Sequence, residues 1–360
     1  VTTRIREART SDLPELAALL GARAGLDGPE PNPRRVLHDL DPARVRAWVG
    51  VEGQHIVAMT CAELRRLQIG DRTVDAGYWS VLHVDDDHLD ALPPARLAQT
   101  MLAGLAELGV EQVYRAGPLD LARAHPLGEL REVSRVALRL KPLRPLSLLA
   151  KGLGWPGWAR RVAEPLDRVV SLPSRADDLR PRRRPRATSI VRLSLPEDAE
   201  GVAELLARAR AGRVTRRWAA EELCARYQAA ADGGPYTLLG LCRAGALIGV
   251  LAYRMTTRET GARLGVIMEL AARDDDPELL ELLLHGVERR VRAQRADGVL
   301  LLDALGPTLS ALARRSGYGD SGERFVLEVG DTPAVDADDA DGPLLDADAW
   351  RVPLSDHDGL

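Results

Sequence analysis

The apolar and polar positions of the chain form a pattern that occurs twice. Ile5-Arg-Glu-Ala-Arg-Thr-Ser-Asp-Leu-Pro-Glu-Leu-Ala-Ala-Leu-Leu20 lies beside Val191-Arg-Leu-Ser-Leu-Pro-Glu-Asp-Ala-Glu-Gly-Val-Ala-Glu-Leu-Leu206. Each copy reads as a short strand, a helix-start signal (Ser11-Asp12 or Pro196-Glu-Asp198) and then apolar residues at helical spacing. Trp48–Cys61 and Leu238–Tyr253 both read as strand, glycine turn, strand. Gly109–Pro118 and Gly298–Pro307 both read as a buried strand that leaves through a Gly-Pro turn. The three matches keep their order and an offset near 186–190, which points to an internal duplication.

Each unit is therefore expected to run strand, helix, hairpin of strands, helix, strand, helix, strand. This predicts an α/β fold: two tandem domains, each a mixed, mostly antiparallel sheet flanked by helices. The expected boundaries are 1–139, a Pro/Arg-rich connecting segment 140–187, 188–330, and an acidic tail 331–360. The connecting segment holds Lys141-Pro-Leu-Arg-Pro-Leu-Ser-Leu-Leu149, read as a short amphipathic helix, and Arg180-Pro-Arg-Arg-Arg-Pro-Arg186, read as a stiff solvated linker. A phosphate-binding role for Arg182–Arg186 is the competing reading.

With 360 residues the chain has room for two cores, and 45% hydrophobic with 28% charged residues is ordinary for a globular protein. A net charge of −4 argues against general nucleic-acid binding. The charge is unevenly placed: residues 131–186 carry fifteen Lys/Arg against five Asp/Glu, and 331–360 carry nine Asp and one Arg. Three scattered cysteines fit a reducing cytoplasm. No apolar run reaches the roughly 18–20 residues needed to span a bilayer, and Val1-Thr-Thr-Arg-Ile-Arg has no signal-peptide core. A single Phe beside abundant Ala, Arg, Gly and Asp suggests a GC-rich bacterial genome.

Ser80-Val-Leu-His-Val-Asp-Asp-Asp-His-Leu-Asp-Ala-Leu-Pro-Pro-Ala-Arg-Leu-Ala-Gln-Thr-Met-Leu102 reads as strand, tight loop and amphipathic helix. That is the layout of a phosphate site at a helix N-terminus. The side chains oppose phosphate, however. Asp85, Asp86, Asp87 and Asp90 place negative charge there, and Pro93 and Pro94 remove two N–H donors. His83, Asp85, His88 and Asp90 are also valid metal-ligand types, but one acidic loop does not converge from several segments as metal sites do, so no metal is expected.

The unit order and the opening Ile5-Arg-Glu-Ala-Arg-Thr-Ser-Asp12 resemble the GCN5-related N-acetyltransferase (GNAT) superfamily, and the whole chain resembles a bacterial tandem-GNAT group. The likeness is carried by Arg131-Glu-Val-Ser-Arg-Val with Leu140-Lys-Pro-Leu-Arg-Pro-Leu146, by Thr215-Arg-Arg-Trp218 through Gly234-Pro-Tyr-Thr-Leu238, and by Ala349-Trp-Arg-Val-Pro-Leu-Ser-Asp-His-Asp358. The resemblance implies acyl transfer from acetyl-CoA or another acyl-CoA to the amine of a small molecule or glycan precursor. It sets the cofactor contacts at Leu82, Val84, Asp85, Leu92, Ala95 and Arg96, and the substrate cleft at Tyr78, Trp79 and Ser80. In the superfamily the loop has the form Arg/Gln-x-x-Gly-x-Gly/Ala; here its positions fall on Leu89, Asp90, Ala91 and Leu92, so this CoA loop is degenerate. Candidate catalytic residues are His83, His125 (near the place of a thiolate-protonating Tyr) and Glu269, where some members carry a general base. Ala313 takes the place of that Tyr in the second unit. Two alternatives stand beside acyl transfer from CoA. One is a Fem-like transferase using aminoacyl-tRNA or acyl carrier protein as donor. The other is a non-catalytic scaffold or ligand-binding protein.

Overall fold

A computed structural model describes residues 3–21, 44–118, 130–170, 188–228, 236–333 and 343–356. The first unit runs β1 (Arg4–Glu7), α1 (Leu13–Gly21), a meander of β2 (Val45–Glu52), β3 (His55–Ile69) and β4 (Arg72–Val84), α2 (Pro94–Glu107), β5 (Gln112–Pro118) and β6 (Arg131–Pro142). Two helices follow, α3 (Pro145–Gly152) and α4 (Gly157–Val170). The second unit runs β7 (Thr188–Arg192), α5 (Ala199–Ala209), β8 (Val214–Arg216), α6 (Ala220–Gln228), the meander β9 (Thr237–Arg243), β10 (Ala246–Thr257) and β11 (Arg263–Ala272), then α7 (Pro277–Ala293), β12 (Gly298–Leu302), α8 (Pro307–Arg315) and β13 (Gly319–Asp331). The expected hairpins are the first two strands of three-stranded meanders. Gly53 and Gly245, at φ +63° and +84°, close the matching β2–β3 and β9–β10 turns in a conformation that side chains resist.

The strands form one mixed sheet in the order β1-β2-β3-β4-β5-β13-β6-β12-β11-β10-β9-β7, with β8 paired to β3 off this path. The two units exchange their last strands. β13 lies antiparallel to β5 of the first unit, and β6 lies antiparallel to β12 of the second. β6 runs across residue 139 without interruption. Ion pairs tie the exchanged strands in place. Arg115 of β5 donates to Glu328 of β13 at 2.8 Å, and Lys141 of β6 donates to the buried Glu288 of α7 at 2.7 Å. Arg139 of β6 donates to Asp303, just beyond β12, at 2.6 Å.

Corresponding helices cover corresponding strands. In α2 the apolar positions Leu97, Met101 and Leu105 recur every four residues and pack on Trp48, Trp79 and Val113. In α7, Leu280, Leu284, Val287 and Val291, at steps of four, three and four, pack over Leu251, Ile267 and Val299. Among the described residues no helix is long and apolar enough to cross a membrane.

Candidate functional site

The duplication is sharpest where each sheet half splits. β4 and β5 pair in parallel from Ala76↔Gln112 to Tyr78↔Tyr114 and then part. β11 and β12 pair in parallel from Leu264↔Gly298 to Val266↔Leu300 and then part. Two residues past the last pair, each fork has a bulge. The β3–β4 register jumps from Cys61↔Val81 to Ala62↔Trp79, leaving Ser80 as the extra residue. The β10–β11 register jumps from Ala252↔Glu269 to Tyr253↔Ile267, leaving Met268. An extra residue bends the strand that carries it, which turns β4 away from β5 and β11 away from β12.

The first fork keeps accessible walls. Ser80, Leu82 and His83 on β4, and Arg115, Gly117 and Pro118 on β5, are all half-buried. The base of the fork is fixed by Tyr78, whose hydroxyl donates to the Ala116 carbonyl at 2.8 Å. Trp79 is buried under α2, and its indole N–H donates to Thr60 Oγ1 at 2.9 Å and to the Val81 carbonyl at 3.0 Å. Tyr78 and Trp79 thus frame the fork from below, and Ser80 is the member of that trio that keeps accessible surface. Cys61 Sγ sits 3.0 Å from Ser80 Oγ. Burial pushes the Cys61 thiol up to about 12, so it stays a protonated thiol at neutral pH and is no nucleophile.

Next to this base lies a buried charged cluster joining the units. Arg65 donates to Tyr114 Oη at 3.0 Å and to Glu63 at 2.6 Å, and its guanidinium lies 3.8 Å from the Tyr78 ring centre. Arg216 of β8 donates to Glu63 at 2.9 Å. Burial pushes the Glu63 carboxyl up, but Arg65, Arg216 and Arg226 outweigh it and hold it well below the usual carboxylate range.

The second fork is filled by the chain itself. The Arg351 amide donates to the Val214 carbonyl at 2.9 Å, and the Val352 amide donates to the Ala304 carbonyl at 3.1 Å. These bonds lay the segment Trp350–Ser355 between β8 and the end of β12. Leu354 then packs in the cluster that contains Met268 and Leu302. Trp350, Arg351, Val352, Leu354 and Ser355 are all buried. Trp350 reaches the other way, onto the Tyr114 ring at 5.7 Å, and its indole N–H donates to the Leu344 carbonyl at 2.8 Å. Glu269 lies beneath this strap, buried and ion-paired with the buried Arg210 of the segment after α5. Burial lowers Arg351, and the nearby Arg213 adds to that, while Asp275 opposes both.

The loop between β4 and α2 folds back on its own amides. The amides of Ala91 and Leu92 donate to the His88 carbonyl at 3.1 and 2.8 Å, and the His88 amide donates to the Asp85 carbonyl at 2.8 Å. The Asp85 amide donates to Val57 at 2.9 Å, and the Arg96 amide to Pro93 at 2.9 Å. Pro93 is the N-cap of α2 and Pro94 its first residue. Most N–H groups that would face a diphosphate are spent or absent. Leu92 has no exposed surface and packs among Trp48, Ala58 and Leu97. Val84 is buried beside it, Leu82 packs half-buried on the same cluster, and Ala95 and Arg96 are exposed on α2. His88 Nε2 lies 2.6 Å from Glu52 and its Nδ1 3.7 Å from Asp85. Among the described residues no group of three or more His, Cys, Asp or Glu converges as a metal site would.

The structure therefore sets Tyr78, Trp79, Ser80, Leu82, His83 and Val84 along β4, Asp85 and Leu92 in a loop that contacts β3 and β2, Ala95 and Arg96 exposed at the start of α2, and Glu269 in the other fork. His125 lies outside the described residues. Sequence reasoning missed the arginine cluster at Arg65, Arg216 and Arg226 and the filling of the second fork. The Thr215–Trp218 and Trp350–Asp358 segments were singled out only for their likeness to a family.

No protein-family model matches the chain, and no curated protein matches it in sequence. Solved structures do match. A protein of unknown function from Enterococcus faecalis, described as a probable N-acyltransferase, superposes with a TM-score of 0.64 at 12% identity, over 93% of this chain and 74% of that one. Saccharomyces cerevisiae N-myristoyltransferase with bound myristoyl-CoA gives 0.63 at 12% identity, over 91% and 82%. A tandem GNAT protein from the clavulanic acid biosynthesis pathway gives 0.56 at 14% identity, over 93% and 100%. At such identities the likeness establishes the fold: a mixed α/β sheet flanked by helices, shared with tandem GNAT proteins.

Proposed function

We propose that the chain is an N-acyltransferase whose first fork takes the pantetheine thioester of an acyl donor, while the second unit serves as a scaffold. The observation that carries this reading is the contrast between the forks. Past Tyr78 and Tyr114 the β4 and β5 edges part with half-buried walls, whereas the matching edges past Val266 and Leu300 are filled. Parted parallel strands leave backbone edges that an amide-bearing arm can pair with, much as an added strand would. The thioester carbon would then meet the acceptor amine near Ser80. The amine nitrogen bonds to the acyl carbon, the thiolate leaves, and the amine proton passes to a base. His83 stands on the β4 wall, and histidine is the residue type suited to that transfer at neutral pH.

The β4–α2 loop bears on the donor. With its amides spent internally and four Asp around it, it offers a diphosphate little grip. Acyl-CoA would bind through its pantetheine arm and acyl chain. The same observation favours a second reading, in which the pantetheine is carried by an acyl carrier protein and no diphosphate reaches the loop.

Thermal shift with a series of acyl-CoAs and the matching acyl-pantetheines tests the proposal. Both series are expected to raise the melting temperature, and to similar extents. Gly117→Phe, at a position where a Cβ meets no described atom within 4 Å, should abolish the shift and leave the unliganded melting temperature in place. Absence of any shift with every thioester, at millimolar concentration, would exclude acyl transfer at this fork and leave a non-catalytic scaffold.

A further inference from the structure

The charged cluster beside the first fork is costly to build where it stands. Arg65 and Arg216 are buried, and both donate to the half-buried Glu63. Their surroundings are apolar: Leu67, Ala76, Tyr78, Tyr114, Val214 and Trp350 belong to one core cluster drawn from both units. Taking charges out of water is expensive, and apolar residues of similar volume often match or better the stability of a buried ion-pair network. Stability alone is therefore a poor reason for three ionised groups at this place.

The cluster touches the point where β4 and β5 part. Arg65 stands on β3 opposite Ala76. Its guanidinium lies 3.8 Å from the Tyr78 ring centre and donates to Tyr114 Oη at 3.0 Å. Tyr78 and Tyr114 are the last parallel pair before the fork, and their rings meet edge to face at 5.2 Å. One side chain thus holds both tyrosines. Tyr78 in turn ties the strands beyond that pair, because its hydroxyl donates to the carbonyl of Ala116, further along β5 than Tyr114. This bond sets how widely the two strand edges begin to separate.

Arg65 is itself held from the second unit. Glu63 accepts from Arg65 at 2.6 Å and from Arg216 at 2.9 Å, so one carboxylate joins the two arginines. Arg216 is placed by β8, which pairs with β3 from Leu67↔Arg216 to Ile69↔Val214. Its guanidinium also lies 3.7 Å from the Trp218 ring centre and 3.7 Å from Glu222. A guanidinium presents its donors in a rigid planar fork, so an arginine that reaches Tyr114 and Glu63 together has few orientations open to it.

We propose that Arg65 and Arg216 are positioning residues for the first fork: Arg216 holds Glu63, Glu63 aims Arg65, and Arg65 holds Tyr78 across the base of the fork. This rests on the reading of that fork as the place of the donor's pantetheine arm. It gives the second unit a part in donor binding although its own fork is filled. The network is set before any ligand arrives, so its loss weakens binding by removing preorganisation.

Calorimetric titration of the full chain with acetyl-pantetheine, with the melting temperature measured alongside, tests this. Arg65→Met is expected to weaken binding by about tenfold, and Tyr78→Phe, which removes only the hydroxyl, by a similar factor. The two together should be little worse than either alone, because both break the same chain of contacts. Arg216→Lys keeps a cation beside Glu63 and should retain most of the affinity that Arg216→Met loses. The triple variant Glu63→Leu, Arg65→Met, Arg216→Met should melt at or above the wild-type temperature and still bind weakly, a combination that a merely structural role does not produce. Wild-type affinity in both Arg65→Met and Tyr78→Phe would overturn the proposal, as would losses that simply add in the double variant or that follow the melting temperature from variant to variant. A wild-type chain that ignores acetyl-pantetheine would remove the donor reading and this proposal together, whereas binding shared by wild type and variants removes the positioning roles alone.

Discussion

Gly117 and Gly306 match in the sequence repeat, each just before a proline, although Pro118 ends β5 and Pro307 opens α8. Their surroundings differ completely. A Cβ on Gly117 would meet no described atom within 4 Å, whereas one on Gly306 would meet the Arg351 guanidinium at 2.6 Å. Gly306 also sits at φ +105°, a conformation that side chains seldom adopt, and no such φ occurs at Gly117. Among the described residues nothing fills the first fork, whereas the second has become a socket for the chain's own C-terminal strap. The duplicated backbone persists in both, bulge included, but the space between the strands serves different ends. In the first unit its described walls are half-buried; in the second it has become core.

The strap offers the strongest way to break this contrast. Trp350 is buried against Tyr114 and spans both units, so Trp350→Ala should cost about 3–5 kcal/mol, the range for deleting a large buried aromatic. Urea denaturation measures this. A cost near zero would mean that the strap is loosely held and that the second fork is as accessible as the first.

Glu269 ranks next. As a general base it would be needed for turnover and dispensable for folding; as the buried partner of Arg210 it should behave the opposite way. Glu269→Gln removes the negative charge and leaves the buried guanidinium without its counter-ion, at a cost of about 2–3 kcal/mol. Transfer per folded molecule should be unchanged. A lowered turnover with full stability would put chemistry in the second fork and remove the asymmetry.

The glycines themselves sharpen the comparison on a smaller scale. Gly306→Ala should destabilise by about 1–3 kcal/mol, since it combines a strained φ with a clash against Arg351. Gly117→Ala should stay within about 0.5 kcal/mol, as at an ordinary surface position. Equal effects at the two sites would contradict the difference in packing.

What the sequence disclosed and withheld follows a physical line. The duplication was legible because strand and helix periodicity are local, and Leu97, Met101 and Leu105 mark the covered face of α2 without reference to the rest of the chain. The cost of the β4–α2 loop to phosphate was legible for the same reason, since Asp and Pro act wherever the loop is placed. The strand exchange was not. β6 and β13 each pair antiparallel with their neighbours, and nothing in either apolar pattern says which unit supplies the partner. The bulges at Ser80 and Met268 share no residue type. Trp350, Val352 and Leu354 became core through contact with segments some fifty to well over two hundred residues away in the chain, and Glu269 found Arg210 in the same way. Long-range pairing decided which of two similar forks remained a cleft.

The smallest expected effect concerns the lip of the accessible fork. Asp86, Asp87 and Asp90 are exposed, and two like charges about 4 Å apart repel by roughly 1 kcal/mol in water, a factor of about five in affinity. Neutralising all three as Asn should therefore tighten CoA binding by about tenfold at low salt, allowing for screening, and leave acyl-pantetheine binding untouched. Calorimetric titration of both ligands against the triple variant measures the difference. The gain should disappear at high salt and should go no further, because Ala91, Leu92 and His88 still spend their amides on the loop and Pro93 and Pro94 still supply none. A gain of a hundredfold or more would mean that the amides can be released, and that charge alone had been keeping a working diphosphate site closed. A gain confined to about tenfold would identify the loss as one of backbone geometry, and the accessible fork as one that holds its donor by the pantetheine arm.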